Sequence, residues 1–157
     1  MTSTAHSQSD VEFAQMMIPH HRQAVQMSDI ILAKGGIRPD VRSLAEQIKG
    51  AQQPEIDQMT SWLQAWGAPT EMHHGSGETM MDGMLSEQQI RELEAADAKQ
   101  GQKRYLEGMI EHHQGAVEMA RKAQPTSQSP DVKQLTQSII DSQNAEIEQM
   151  RGILKQL

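Results

Sequence analysis

Apolar residues in this chain recur in steps of three and four. Met17, Ile18, Ala24, Val25, Met27, Ile31 and Leu32 follow the period of a helix buried along one face, and Gly35-Gly36 stops the run. A first helix is therefore predicted over roughly 10–34, with Ser9 and Glu12 forming a Ser-x-x-Glu capping box at its start. Pro39 and Asp40 open a second helix that reaches about Trp66, where Gly67 and Pro69 end it. Residues 67–85, GAPTEMHHGSGETMMDGML, are punctuated by glycine and proline without a helical period and read as a loop. Ser86 and Gln89 form the capping box of a short helix that breaks near Asp97 to Gly101. A long helix follows to about Gln124. Pro125 and Pro130 bracket a turn, and a last helix runs from Asp131 to the end.

The pattern is written twice. Met17, Ile18, His20, His21, Ala24, Val25 and Met27 align with Met109, Ile110, His112, His113, Ala116, Val117 and Met119. After a single-residue gap, Pro39-Asp40-Val41 aligns with Pro130-Asp131-Val132. Leu44, Ile48, Gln52, Glu55, Ile56, Met59 and Leu63 then align with Leu135, Ile139, Gln143, Glu146, Ile147, Met150 and Leu154. Each half is a helical hairpin that cannot bury its apolar stripe alone. The predicted fold is all-α: one domain over 1–157, a ferritin-like four-helix bundle of two duplicated hairpins around an approximate two-fold axis. The first hairpin is 10–66, the loop 67–85, and the short helix with the second hairpin 86–157.

The polar exceptions inside the apolar stripes carry the chemistry. At about 100° per residue with Met17 at zero, His21 falls near +40° and His20 near −60°, inside the apolar arc, and His112 and His113 repeat that placement. Glu55 and its counterpart Glu146 stand in the middle of the stripes of the partner helices. Four imidazoles and two carboxylates directed inward cost too much to bury unless they bond one another, a metal or water. Two accounts meet that demand. In one, each histidine hydrogen-bonds a glutamate of the neighbouring helix and the set fixes bundle register. In the other, imidazole nitrogens join the sulfurs of Met16, Met17 and Met109, three or four residues away, as metal sites. Pro19, inside the first helix, removes a backbone hydrogen bond and predicts a kink, although its counterpart is Glu111.

Composition narrows the chemistry. The 157 residues contain no cysteine, which excludes disulfides, zinc-thiolate sites and thiol nucleophiles. Twelve methionines stand against one Phe, one Tyr and two Trp, so soft-metal ligation falls to methionine and histidine. The loop adds Met72, His73, His74, Met80, Met81 and Met84, a thioether and imidazole set suited to copper, particularly Cu(I). As an alternative, those methionines dock on the bundle as adaptable apolar contacts. A net charge of −7 without a basic patch argues against a nucleic-acid partner. No apolar run is long enough to span a membrane, and the opening MTSTAHSQSD lacks a signal-peptide core. These features fit either a cytoplasmic chain or the mature form of an exported one.

The stretches MIPHHRQAVQM and MIEHHQGAVEM, with QQPEIDQM and QNAEIEQM, resemble the bacterial family catalogued as domain of unknown function 305, over residues 11–157. The resemblance implies a ferritin-like fold, export to the periplasm or beyond with the signal segment removed, and, in some members, copper binding or copper tolerance through His and Met residues. His20, His21, His112 and His113, with Met17, Met27, Met109 and Met119, match the family motif. Pro19 and the Met/His-rich loop depart from it, and the loop's metal role rests on its residue types alone.

The resulting expectation is a non-enzymatic, extracytoplasmic copper-binding or copper-buffering protein. Capture is reversible and without turnover, since no nucleophile–base pair, phosphate loop or nucleotide fingerprint is present. A ferritin-like di-metal carboxylate oxidase using Glu55 and Glu146 is the alternative. It needs Glu-x-x-His pairs that the chain lacks: Glu111 directly precedes His112, and no glutamate stands three residues before either histidine of the first helix. A structural or interaction module that holds no metal is the third reading. Histidine binds metal only when neutral, so uptake is expected to weaken as pH drops through the imidazole range, to about pH 5.

Overall fold

The computed structural model describes residues 5–70 and 83–157. Its helices are α1 (Gln8–Leu32), α2 (Pro39–Ala65), α3 (Glu87–Ala95), α4 (Ala98–Ala123) and α5 (Pro130–Leu154), with one 3₁₀ turn at Gln124–Thr126. No strand occurs among the described residues. α1 lies along α2 and α4 along α5, forming the two hairpins, and α1 against α4 joins them. The short α3 packs on α1 and α4. The all-helical fold read from the periodicity is the one observed.

Local chemistry accounts for most boundaries. Ser86 accepts from the Gln89 N–H at 3.1 Å while Gln89 accepts from the Ser86 N–H at 2.8 Å, the capping box predicted for α3. Asp97 caps α4 through the Gln100 N–H at 2.8 Å. Gly67 ends α2 with φ +69°; its N–H reaches the Gln64 carbonyl, and the Ala68 N–H reaches that of Leu63. This paired closure favours glycine because the residue after the cap is left-handed. α1 continues through Pro19, and α2 through Pro54, as unbroken helices.

The start of α1 corrects the sequence reading. The capping box is Ser7 with Asp10, not Ser9 with Glu12. Ser7 N–H donates to Asp10 at 2.8 Å and Asp10 N–H to Ser7 Oγ at 3.2 Å. Ser9 is drawn instead to the Thr126 hydroxyl at 2.6 Å. The reason is tertiary. Asp10 is fully buried and its carboxylate also accepts from the Ser127 hydroxyl and from the backbone N–H groups of Gln128 (2.9 Å) and Ser129 (3.1 Å). One side chain thus caps α1 and closes the α4–α5 turn.

The apolar core is two clusters. One gathers Met27, Ile31, Leu44, Ile48, Tyr105 and Met109 among others, with Ile147 and Met150. The other gathers Val11, Met17, Ile18, Ile56, Met59, Ala116, Met119 and Ile139. Positions equivalent in the two halves fall in opposite clusters: Met17 and Met109, Met27 and Met119, Ile48 and Ile139, Met59 and Met150. On each long helix the residues between the clusters are the polar exceptions: His20 and His21, Gln52 and Glu55, His112 and His113, Gln143 and Glu146. A polar layer crosses the bundle at mid-height.

The Asp10 hub sets a pH dependence. Burial pushes its carboxyl up, but the Ser127 hydroxyl and the Ser7, Gln128 and Ser129 N–H groups outweigh burial and hold it below its ordinary value of 3.8. A depressed carboxyl stabilises the fold above the unfolded value and loses that contribution as pH falls through the folded one. Denaturant unfolding of Asp10→Ala should show a loss of about 2–4 kcal/mol near neutrality. Asp10→Asn should remove the part of the wild-type decline that sets in below about pH 4.

Candidate metal centre

Four helices contribute to the polar layer in pairs. His21, fully buried, bonds through Nε2 to Glu55 Oε1 at 2.7 Å, and His113, also fully buried, bonds through Nε2 to Glu146 Oε1 at 2.7 Å. These are the carboxylate–histidine pairs that the sequence raised as one of its two accounts. A carboxylate only accepts, so each ring donates Nε2–H, and in the neutral tautomer that this bond selects the lone pair lies on Nδ1. Between these pairs His20 and His112 stack across the α1–α4 contact, with ring centroids 3.8 Å apart and planes tilted by 41°. The equivalent histidines of the two hairpins therefore meet each other.

Several buried atoms of this layer have no hydrogen bond of normal geometry among the described residues: Nδ1 of His21 and of His113, both ring nitrogens of His112, and Oε1 of Gln52 and of Gln143. In the neutral tautomers four of these only accept, and His112 adds one acceptor and one donor. Acceptors outnumber donors, which is the pattern that a cation or a multiple donor would satisfy. His112 is held well below the ordinary imidazole value of 6.5, first by burial and then by the neighbouring rings of His20, His113 and His21; the His20 backbone opposes weakly. The ring is neutral at physiological pH and its lone pair is available. Among the described residues, however, no three His, Asp or Glu side chains converge as a ready cage.

Gln52 and Gln143 were missed as members of the site. Both are buried, and both stand three residues before a layer glutamate in the repeated Gln-x-x-Glu. Uncharged and long, glutamine reads as a surface residue in a single copy; its recurrence at equivalent positions is the signal that could have found it.

The candidate methionines separate by height. Met17 and Met109 stand one turn from the histidine pairs of their own helices, and both are fully buried. Met27 and Met119 lie seven residues beyond His20 and His112, about 10 Å along the helix axis. The Met27 methyl packs over Gly108 together with Leu85, within the apolar cluster. Met16 is half-buried against the other cluster. Of the loop residues, Met72, His73, His74, Met80 and Met81 lie outside the described residues, and Met84 is half-buried. The chain re-enters at Gly83, whose φ of +81° and close approach to the backbone of Glu111 and His112 exclude a side chain. Gln23 then holds Leu85 by both backbone groups, at 2.9 and 2.8 Å. Met84 is thereby set beside the α1–α4 contact near His112.

The fold recurs in solved proteins. A crystal structure of a DUF305 fragment from Deinococcus radiodurans matches with a TM-score of 0.88 and 33% identity, covering 97% of this chain and 99% of that one. A DUF305 protein of Streptomyces coelicolor, described as predicted to be secreted, matches at 0.84 and 33%, covering 94% and 93%. CopM in its Cu(II)-bound form matches at 0.79 and 32%, covering 94% and 96%, and it has also been solved with Cu(I) and with silver. Among curated sequences, an uncharacterised protein of Acanthamoeba polyphaga mimivirus is 44% identical over 52 residues, so the match spans 33% of this chain and 34% of that protein. Residues 10–154 match the model of the domain of unknown function DUF305, and the chain belongs to that family.

Proposed function

We propose that this protein binds copper reversibly outside the cytoplasm, as cargo and without turnover. The observation that carries this reading is the excess of buried, uncommitted acceptors in the histidine layer, centred on Nδ1 of His21 and His113 and on the neutral ring of His112. His20 completes the imidazole set, and the thioethers of Met17 and Met109 add soft donors one turn away. The copper and silver held by CopM support the choice of metal, and the description of the S. coelicolor relative supports export.

In this reading Glu55 and Glu146 are not ligands. Each holds one ring by its Nε2–H, which fixes the tautomer with the lone pair on Nδ1 and raises the basicity of that nitrogen as a ligand. Gln47 donates to the second oxygen of Glu146 at 3.0 Å and orients that carboxylate in turn. Met72, His73, His74, Met80, Met81 and Met84 form a second set of candidate ligands in the loop, and Met27 and Met119 pack the core above and below the layer.

A double substitution separates ligation from packing. Glutamine at His21 and His113 keeps an N–H for each glutamate and removes the Nδ1 lone pair. His21→Gln/His113→Gln should weaken copper by about 100-fold or more in a chelator competition, a loss of at least second-shell size, while unfolding stays cooperative. Undiminished copper affinity in this variant, abolished instead by deleting residues 72–84, would move the site to the loop.

Linkage provides a second check. In the metal-free protein the folded state keeps His112 neutral, whereas the unfolded ring takes up a proton below about pH 6.5. The unfolded state then binds more protons, so stability is full above that pH and declines as pH falls towards the depressed folded value. The denaturant midpoint should drop between about pH 7 and pH 5, and His112→Gln should flatten that part of the slope. Protons compete with copper for His112 only at lower pH than at an exposed imidazole.

A further inference from the structure

The two halves of the polar layer differ in their exposure to solvent. Glu146 is closed over: its side chain is 7% exposed and Gln47, on α2, donates to it across the α2–α5 groove. The residue of α5 aligned with Gln47 is Ser138, since Ile48 aligns with Ile139. Serine is too short to repeat that bond. On its side of the bundle the groove opens into a cavity of about 210 Å³ lined by Glu55, Gln58, Asp131, Gln134, Leu135 and Ser138. Glu55 is 20% exposed, while the histidine it bonds, His21, is fully buried with Nδ1 uncommitted.

We propose that the α2–α5 cavity between Glu55 and Ser138 is the port by which a metal cation reaches the histidine layer, with Gln47 closing the equivalent opening on the other side. The proposal rests on the copper reading above and adds its route. The lining suits a cation: two carboxylates, two side-chain amides and a hydroxyl, with no lysine or arginine. A cation arriving at Glu55 is separated from an open imidazole lone pair by a single ring. The partner carboxylate of the other pair offers no such approach, because its second oxygen is already bonded.

Two exchanged side chains test the port in the full-length protein. Ser138→Gln places on the open side the residue that closes the other, and Gln47→Ser opens the closed one. The metal-independent readout is deuterium exchange at the imidazole C2 position, followed by mass spectrometry. His21 should exchange faster than His113 in the wild type, Ser138→Gln should slow His21 to the His113 rate, and Gln47→Ser should speed His113. Transfer of Cu(I) from a chromophoric chelator, followed by stopped flow, should slow about tenfold in Ser138→Gln with an unchanged end point. Equal exchange of His21 and His113, or a copper uptake rate indifferent to Ser138→Gln, overturns the port. Exchange rates that follow the prediction without any copper uptake overturn the cargo and the copper reading, and leave only a solvent opening.

Discussion

Four imidazoles buried between two apolar clusters form the constraint around which the bundle is arranged. An unbonded polar group in such a place costs several kcal/mol, so α1 must meet α2 with His21 facing Glu55, and α4 must meet α5 with His113 facing Glu146. Sliding either pair by one helical turn would set an imidazole among isoleucines and leave a carboxylate buried or stranded. The contact of His20 with His112 fixes the third relation, between the hairpins. Apolar packing alone tolerates many registers; three polar contacts at one height select among them.

The apolar clusters that flank this layer account for half of the methionines. The unbranched thioether of methionine fills irregular gaps better than aromatic or β-branched side chains. Met17, Met27, Met59, Met109, Met119 and Met150 all belong to those clusters. The methionines thus have a packing role that does not require a metal, and Met17 and Met109 combine it with a position one turn from the imidazoles. The imidazoles are thus held by the core, not by a loop, and their geometry is preset by the bundle.

Approximate symmetry is broken where the chain must do something only once. Asp10 ties the start of α1 to the α4–α5 turn with five donors, and it aligns with Gln102, whose amide oxygen instead accepts from the Arg38 N–H at 2.7 Å. Gly83 and Gln23 fasten the return of the long connection beside His112, a place with no counterpart in the first hairpin. Gln47 covers one glutamate while Ser138 leaves the other beside a cavity. The layer is therefore symmetric in its bonds and asymmetric in its access.

Short-range rules made much of this legible. The helical period placed His20, His21, His112 and His113 on buried faces, glycine and proline marked the ends of α2 and α4, and the Ser86–Gln89 box was readable because both partners lie within one turn. Repetition with one gap revealed the hairpins and the aligned glutamates. What the linear pattern could not contain was which side chains meet across helices, because that depends on how far one helix is shifted along another. Ser9 and Glu12 satisfy the capping rule as well as Ser7 and Asp10 do, and only the donors of Ser127, Gln128 and Ser129 decide between them. Met17 and Met27 look alike in the motif until the axial rise separates them. Gln52 and Gln143 look like surface residues until the bundle closes over them. Periodicity is a property of one helix and is written in the chain; height, pairing and exposure belong to the packing of several helices and exist only once they are brought together.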